Sequence, residues 1–214
     1  MMIPLVVACF VPLCACLIAF ARLGVLSARA ALAGVLGGAG AVVLGVAAAF
    51  AAHAVLSGGF AEFAVAASEE CAKLLFVWAA SRAVRDRSSR RPLVALAVIV
   101  GLSFAAFENV SYVLASPSLL ILRTALSVPL HGSATVIASA ALIGSFGGKK
   151  ISLLVPIIGA IAAHALFNLA LSTGGLMVMP VLLCAVAVMV AVKIGAWMWR
   201  DDSPGEESWD GDAR

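Results

Sequence analysis

The chain contains seven long apolar stretches, and this pattern excludes most soluble folds. A transmembrane α-helix needs about 20 apolar residues to cross the hydrocarbon core of a bilayer. Only 12% of the 214 residues are charged and 64% are hydrophobic, whereas a soluble domain has about 25% charged residues. The sequence therefore predicts an all-α fold, a polytopic transmembrane helix bundle in the cell (plasma or inner) membrane. The bundle is predicted to have about seven spans, at residues 3–21, 30–52, 60–81, 93–115, 119–144, 151–171 and 176–199.

The connectors between these stretches alternate in charge. The second, fourth and sixth connectors contain no Lys or Arg, whereas the first, third and fifth contain Arg22, Arg29, Arg82, Arg85, Arg87, Arg90, Arg91, Lys149 and Lys150. By the positive-inside rule, this predicts an N-terminus outside and a C-terminus in the cytoplasm. The arginines of the third connector are interpreted as topology determinants and not as a nucleic-acid site. Residues 1–200 form one predicted domain, and the acidic residues 201–214 a disordered cytoplasmic tail.

Ionisable side chains nevertheless occur deep inside four of the predicted spans. A charged group at the bilayer centre costs roughly 2.5 to 3.5 kcal/mol even on the lenient insertion scale, so function is the default explanation. Counted from the outer ends at about 1.5 Å per residue, these groups lie at depths of roughly 10 to 18 Å. The sequence therefore predicts one shared polar cavity within a core of residues 60–172, built from Glu69, Glu70, Glu108, His131 and His164.

Further polar residues follow these groups at helical spacing. Lys73 lies three and four residues after the glutamate pair, Tyr112 lies four after Glu108, and Asn168 lies four after His164. Residues three or four apart share a helix face, so Lys73 can pair with either glutamate and the other two can extend the polar stripes. Adjacent residues of the pair point about 100° apart, so only one glutamate can point fully into the cavity.

This set of groups is suited to hydrolysis. A partly desolvated carboxylate can accept a proton from water, imidazoles can act as acids, and an amide or protonated imidazole can donate to an oxyanion. Zinc with an open position for water is an alternative, although the HExxH motif is absent. The candidate zinc ligands are Glu108, His131 and His164.

Other interpretations of the polar layer stay open at this point. Buried Glu–Lys pairs and lone histidines also tie membrane helices together, so a silent scaffold is one alternative. A proton-coupled transporter is another, because such proteins also place acids and histidines on inward faces. His53, Glu62 and Arg123 lie near the predicted outer boundary and are interpreted as interfacial residues.

The order of the motifs resembles a known family. Glu69-Glu70-x-x-Lys73, Phe107-Glu108-x-x-x-Tyr112, an isolated His131 and His164-x-x-x-Asn168 follow one another on successive spans. This arrangement over residues 69–168 resembles the PrsW family of intramembrane proteases. That family is similar to the superfamily of type II CAAX prenyl proteases and bacterial Abi proteins. The CAAX-type enzymes have a His in the second motif, which makes prenyl-protein cleavage the less favoured activity.

The resemblance implies cleavage of membrane-anchored protein substrates, for example anti-sigma factors. Glu69 and Glu70 would hold or be the general base, and His131 and His164 would activate water or bind a metal. The resemblance implies further roles for Asn168 as oxyanion donor, Glu108 with Tyr112 as a second polar arm, and Lys73 as partner of the glutamates. Zinc would be the cofactor if a metal is used; a mechanism without metal is the alternative. Because the superfamily also resembles a non-proteolytic subunit of gamma-secretase, a scaffold is again an alternative.

Overall fold

A computed structural model describes residues 2–84, 89–146, 154–172 and 178–200. Within these ranges the chain is helical and has no strand, which confirms the all-α prediction. A single 3-10 turn, Ser81–Ala83, follows the fourth helix. The α-helices are α1 (Met2–Cys9), α2 (Val11–Arg22), α3 (Ala28–Val55), α4 (Gly58–Ala80), α5 (Arg91–Ala115), α6 (Leu119–Phe146), α7 (Leu154–Ser172) and α8 (Val178–Arg200).

Five of these helices, α3 and α5 to α8, are long and apolar enough to cross a membrane. The first predicted span is broken, because α1 and α2 meet at an angle of 42° and count together as a sixth candidate. Helix α4 is 23 residues long, which is sufficient for a span, but it contains the charged residues Glu62, Glu69, Glu70 and Lys73. The described residues thus contain five or six helices of spanning length and composition.

Helices α5 and α6 form the centre of the bundle, where most of their residues are buried. Helix α5 packs between α3 and α6, α4 packs between α3 and α7, and α8 packs on α6 and α7. At the α3–α5 crossing a Cβ on Gly38 would lie only 2.4 Å from the Cβ of Ser103. The Ser103 hydroxyl donates a hydrogen bond of 2.8 Å to the carbonyl of Val35. Small residues let membrane helices approach closely, and here they bring α3 against the polar residues of α4 and α5.

The two ends of the bundle differ in chemistry. At the end defined by Arg22, Arg82 and Arg91, called here the arginine end, the largest apolar cluster fills the space between α2, α4, α5, α6 and α8. The opposite end contains the connectors 56–57 and 116–118 and is called here the cavity end, because the polar residues lie in this half. The predictions for Arg85, Arg87, Lys149, Lys150 and the tail 201–214 fall outside the described residues.

Candidate active site

A cavity of about 610 Å³ lies in the cavity end of the bundle. Its walls come from α3, α4, α5, α6 and α7, so the site includes α3, which precedes the predicted core of residues 60–172. The polar lining comprises His53, Glu62, Glu69, Glu108, Ser111, Tyr112, Arg123 and Asn168. His53 and Glu62, interpreted from the sequence as interfacial, thus also line this cavity.

The ionisable groups of four helices meet at the inner end of this cavity. The rings of His131 from α6 and His164 from α7 lie edge to face, with their centroids 4.8 Å apart. Glu70 from α4 and both histidines are at most 2% exposed, and Glu69 is 8% exposed. Helix α5 contributes Glu108, whose side chain is 16% exposed. The predicted convergence on one polar layer is therefore present in the structure.

A first chain of contacts links a cation, a carboxylate and an imidazole. Lys73 Nζ donates to Glu70 Oε1 at 2.5 Å, and the same oxygen lies 2.8 Å from His164 Nδ1. Lys73 is fully buried, and its ammonium also lies 4.5 Å from the centre of the Phe104 ring. The ion pair lowers the cost of burying both charges, and the Glu70 oxygen holds the imidazole of His164 in one orientation.

A second chain of contacts has the same composition. Arg123 Nη2 donates to Glu108 Oε2 at 2.7 Å, and His131 Nε2 lies 2.9 Å from the same oxygen. The interpretation of Arg123 as an interfacial residue missed this partnership. The sequence does indicate this pairing. Glu108 and Arg123 both lie within about two helical turns of the short connector 116–118, and a short connector brings its two helices together.

Lys73 joins the two chains of contacts. Its Nζ lies 3.1 Å from His131 Nδ1. An ammonium can only donate, so Nδ1 of this imidazole accepts, and the ring proton is assigned to Nε2, which donates to Glu108. Both nitrogens of His131 therefore have partners, whereas His164 uses Nδ1 for its carboxylate.

Glu69 differs from the other two buried carboxylates. No Lys or Arg of the described residues forms an ion pair with it. Its Oε2, like Oε2 of Glu70, is buried without a hydrogen-bond partner there. This oxygen approaches His164 Nε2 to 3.6 Å, which is too long for a hydrogen bond. Glu69 lines the cavity and Glu70 does not. The structure thus distinguishes the two members of the pair: Glu69 faces the cavity, and Glu70 lies behind it in the ion pair.

One protein-family model matches most of the chain. A family model described as PrsW family intramembrane metalloprotease matches residues 13–195. The chain belongs to the PrsW family. The PrsW match runs from α2 to α8 and so extends well beyond the motifs of residues 69–168. No curated protein and no solved structure matches the chain.

PrsW proteins are described as metalloproteases, and two ligand atoms of the cluster lie at a spacing that fits a zinc ion. Two ligand atoms on one tetrahedral zinc, each bonded at 2.0–2.2 Å, lie roughly 3.3–3.6 Å apart. The separation of 3.6 Å between Glu69 Oε2 and His164 Nε2 agrees with this value. The bond from His164 Nδ1 to Glu70 leaves Nε2 free, which is the usual arrangement for a metal-binding histidine.

His131 is the third candidate ligand, but both of its ring nitrogens have partners, so one of them would have to leave Lys73 or Glu108 to bind a metal. The carboxylate of this set also differs from the one predicted from the sequence. Ligand atoms of Glu69, His131 and His164 all lie within 4.8 Å of one another. The predicted set instead combined Glu108 with the two histidines. In the structure, Glu108 Oε2 is occupied by Arg123 and His131. Glu69 therefore fits the metal-ligand position in this PrsW protein better than Glu108 does.

Gly45 on α3 gives Glu69 the space for its position. A Cβ at residue 45 would lie 3.0 Å from Glu69 Cγ. We expect Gly45→Ala to shift this carboxylate and to lower the cleavage rate by about 10- to 100-fold, since small misplacements of reacting groups are costly. The measurement is the initial rate of substrate cleavage together with the unfolding temperature.

Gly37→Ala is the matched control on the same helix. A Cβ there would lie 3.2 Å from Phe76 Cβ, which is similar crowding away from the cluster. We expect the two variants to lose comparable stability but only Gly45→Ala to lose activity. Equal losses of activity would show that Gly45 acts through general packing of α3.

Proposed function

We propose that this PrsW protein is an intramembrane peptidase that hydrolyses peptide bonds of membrane-anchored proteins, with Glu69 as the group that accepts a proton from water. The observation that carries this proposal is the contrast among the three carboxylates of the cluster. Glu70 and Glu108 are each paired with a cation, whereas Glu69 has no such partner among the described residues and lines the cavity. A carboxylate without a cationic partner is the best proton acceptor of the three.

The proposed reaction uses the side chains as follows. Glu69 takes a proton from water while the water oxygen bonds to the carbonyl carbon of the substrate. The carbon–nitrogen bond then breaks, and the proton passes from Glu69 to the leaving amine. Asn168, which lines the same cavity, donates a hydrogen bond to the carbonyl oxygen as negative charge develops there. Glu70 and Glu108 hold the two imidazoles in place.

The proposed cofactor is zinc, held by Glu69, His131 and His164. Bound there, it would supply a strong nucleophile near neutral pH by activating a water molecule. With zinc bound, Glu69 would act as a ligand, and the acidity of the water would come from the metal. Without metal, Glu69 is itself the proton acceptor, so both variants of the proposal require Glu69. Lys73 and Arg123 hold the flanking carboxylates in place in either case.

We further propose seven spans, with an N-terminus outside and the cavity end facing outward. Helix α4 is the seventh span, because its buried charges at residues 70 and 73 form an ion pair inside the bundle. The described basic residues of the connectors lie at the arginine end, which the positive-inside rule assigns to the cytoplasm. Water and the juxtamembrane segment of a substrate would then reach the site from the outer side. Regulators such as anti-sigma factors are the substrate class that the family resemblance suggests.

The function is tested with the purified full-length protein in lipid nanodiscs. Single-span peptides with varied outer juxtamembrane sequences are added as a library, and products are identified by mass spectrometry. We expect cleavage near the outer membrane boundary, its loss with a zinc chelator, and its recovery with one equivalent of zinc. Cleavage that persists in excess chelator would reject the zinc site and leave the metal-free mechanism. If the zinc-loaded protein cleaves no member of the library, a scaffold or transporter is favoured.

A further inference from the structure

We propose that Arg123 is a positioning residue of this site, which fixes the carboxylate of Glu108 and, through it, the orientation of His131. The inference deepens the proposed function and rests on it only for the catalytic consequence. Arg123 belongs to none of the motifs that resemble the family. It lies in the second turn of α6, two turns before His131 on the same helix, and is joined to it through a single carboxylate.

The guanidinium of Arg123 is held by several neighbours at once. Besides Glu108 Oε2, its Nη2 donates to Ser127 Oγ at 3.1 Å, while Nε donates to Asn109 Oδ1 at 2.7 Å. Two adjacent residues of α5 are thus bound by two nitrogens of one planar group. A guanidinium presents its N–H donors in one plane, so it can bind two neighbouring acceptors at once, and a lysine ammonium cannot reproduce this geometry.

The ring of Tyr112 restrains the same group from another direction. The carbon at the centre of the guanidinium lies 3.6 Å from the centre of this ring. Stacking of Arg on an aromatic face is favourable, and more so where water is excluded. Tyr112 is 42% exposed and lines the same cavity as Arg123 and Glu108. Tyr112, predicted from the sequence only as part of a second polar arm, thus has a more specific contact.

The consequence for His131 follows from the acceptor that it uses. Glu108 Oε2 receives both the guanidinium and the imidazole, so rotation of the carboxylate would remove the acceptor from His131 Nε2. With Arg123 in place the carboxylate is held, and the imidazole is fixed at Nε2 by Glu108 as well as at Nδ1 by Lys73. Without Arg123, no other Lys or Arg of the described residues pairs with Glu108, and the second contact of His131 is no longer fixed.

The test uses the chain's three histidines. Ring ¹⁵N spectra of histidine-labelled, zinc-free protein in nanodiscs report the tautomer of each imidazole, and single His→Asn variants assign the signals. We expect Arg123→Gln to move the two ring-nitrogen signals of His131 and to leave those of His53 unchanged. Arg123→Lys keeps the positive charge but lacks the planar set of donors, so the His131 signals should move by an intermediate amount. If Arg123→Gln does not fold, the Lys variant decides by the same criterion.

Arg82→Gln is the matched control. Arg82 also stacks on an aromatic ring, that of Trp78 at 3.8 Å, but at the arginine end of α4. We expect its removal to leave all three histidine spectra unchanged. In the peptidase assay Arg123→Gln should lower kcat by about 10- to 100-fold, as for other residues that orient functional imidazoles, with KM within about twofold.

Two results would overturn the proposal. Unchanged His131 signals in a folded Arg123→Gln protein would show that Glu108 does not need the guanidinium. An effect on KM alone would show that Arg123 contacts substrate and does not act through His131. Because the spectra require no substrate, they test the positioning role even if the proposed peptidase activity is not found, and the two failures are therefore distinguishable.

Discussion

Glu69→Gln is expected to abolish cleavage, with kcat reduced by about 10²- to 10⁴-fold, which is the usual contribution of a general base. The substitution keeps the shape of the side chain and removes only its charge and basicity. Because Glu69 has no cationic partner among the described residues, its neutralisation leaves no Lys or Arg unpaired. We therefore expect the unfolding temperature to change by only a few degrees. Initial cleavage rates and thermal unfolding, measured on the same preparations, check both expectations.

Glu62→Gln is the control for the Glu69 variant. Glu62 is on the same helix and lines the same cavity, but the ion pairs of the two cluster histidines are with other glutamates. We expect this variant to keep its kcat, and any change to be in KM. If Glu69→Gln retained full kcat, the assignment of Glu69 as proton acceptor would be wrong, and Glu70 would become the candidate despite its ion pair. Zinc content, measured alongside, shows whether the lost activity also reflects a lost ligand.

The polar layer could be predicted from the sequence because its physical cause is local. Each ionisable residue inside an apolar span must face the protein interior, and its depth follows from a count of residues along the helix. Those two constraints are sufficient to place His131 and His164 in one layer with the glutamates. The pairing of Lys73 with one of the glutamates was predictable for the same reason, since residues three and four apart share a face.

The partners across helices could not be predicted in the same way. Which member of the Glu69–Glu70 pair faces the cavity depends on the rotation of α4 about its axis, and that rotation is set by the packing of α3 and α7 against it. The role of Arg123 and the choice of Glu69 over Glu108 as candidate metal ligand likewise depend on how α5 and α6 pair. The bend after Cys9 could not be predicted from the length of the apolar stretch, because that length does not show whether a helix is straight, although Pro12 lies in the first turn of the next helix.

Lys73→Met is expected to cause the largest loss of stability, about 3–5 kcal/mol in the free energy of unfolding, which is typical when one partner of a buried ion pair is removed. Lys73 is fully buried and Glu70 is 1% exposed, so the variant leaves a carboxylate with no cation at the centre of the bundle. Methionine has nearly the volume of lysine, so lost packing contributes little. Denaturation in mixed micelles, followed by circular dichroism, measures the change.

The double variant Lys73→Met/Glu70→Gln separates the structural role of the pair from its role in the site. Neutralising both partners removes the uncompensated charge, so we expect most of the lost stability to return. Activity should stay low, because His164 Nδ1 then faces a neutral amide and His131 Nδ1 has lost its donor. Recovery of both stability and activity would mean that the pair only ties the bundle together. Recovery of stability alone would show that this buried charge pair is retained for the orientation of the two imidazoles, since an uncharged pair would support the fold equally well.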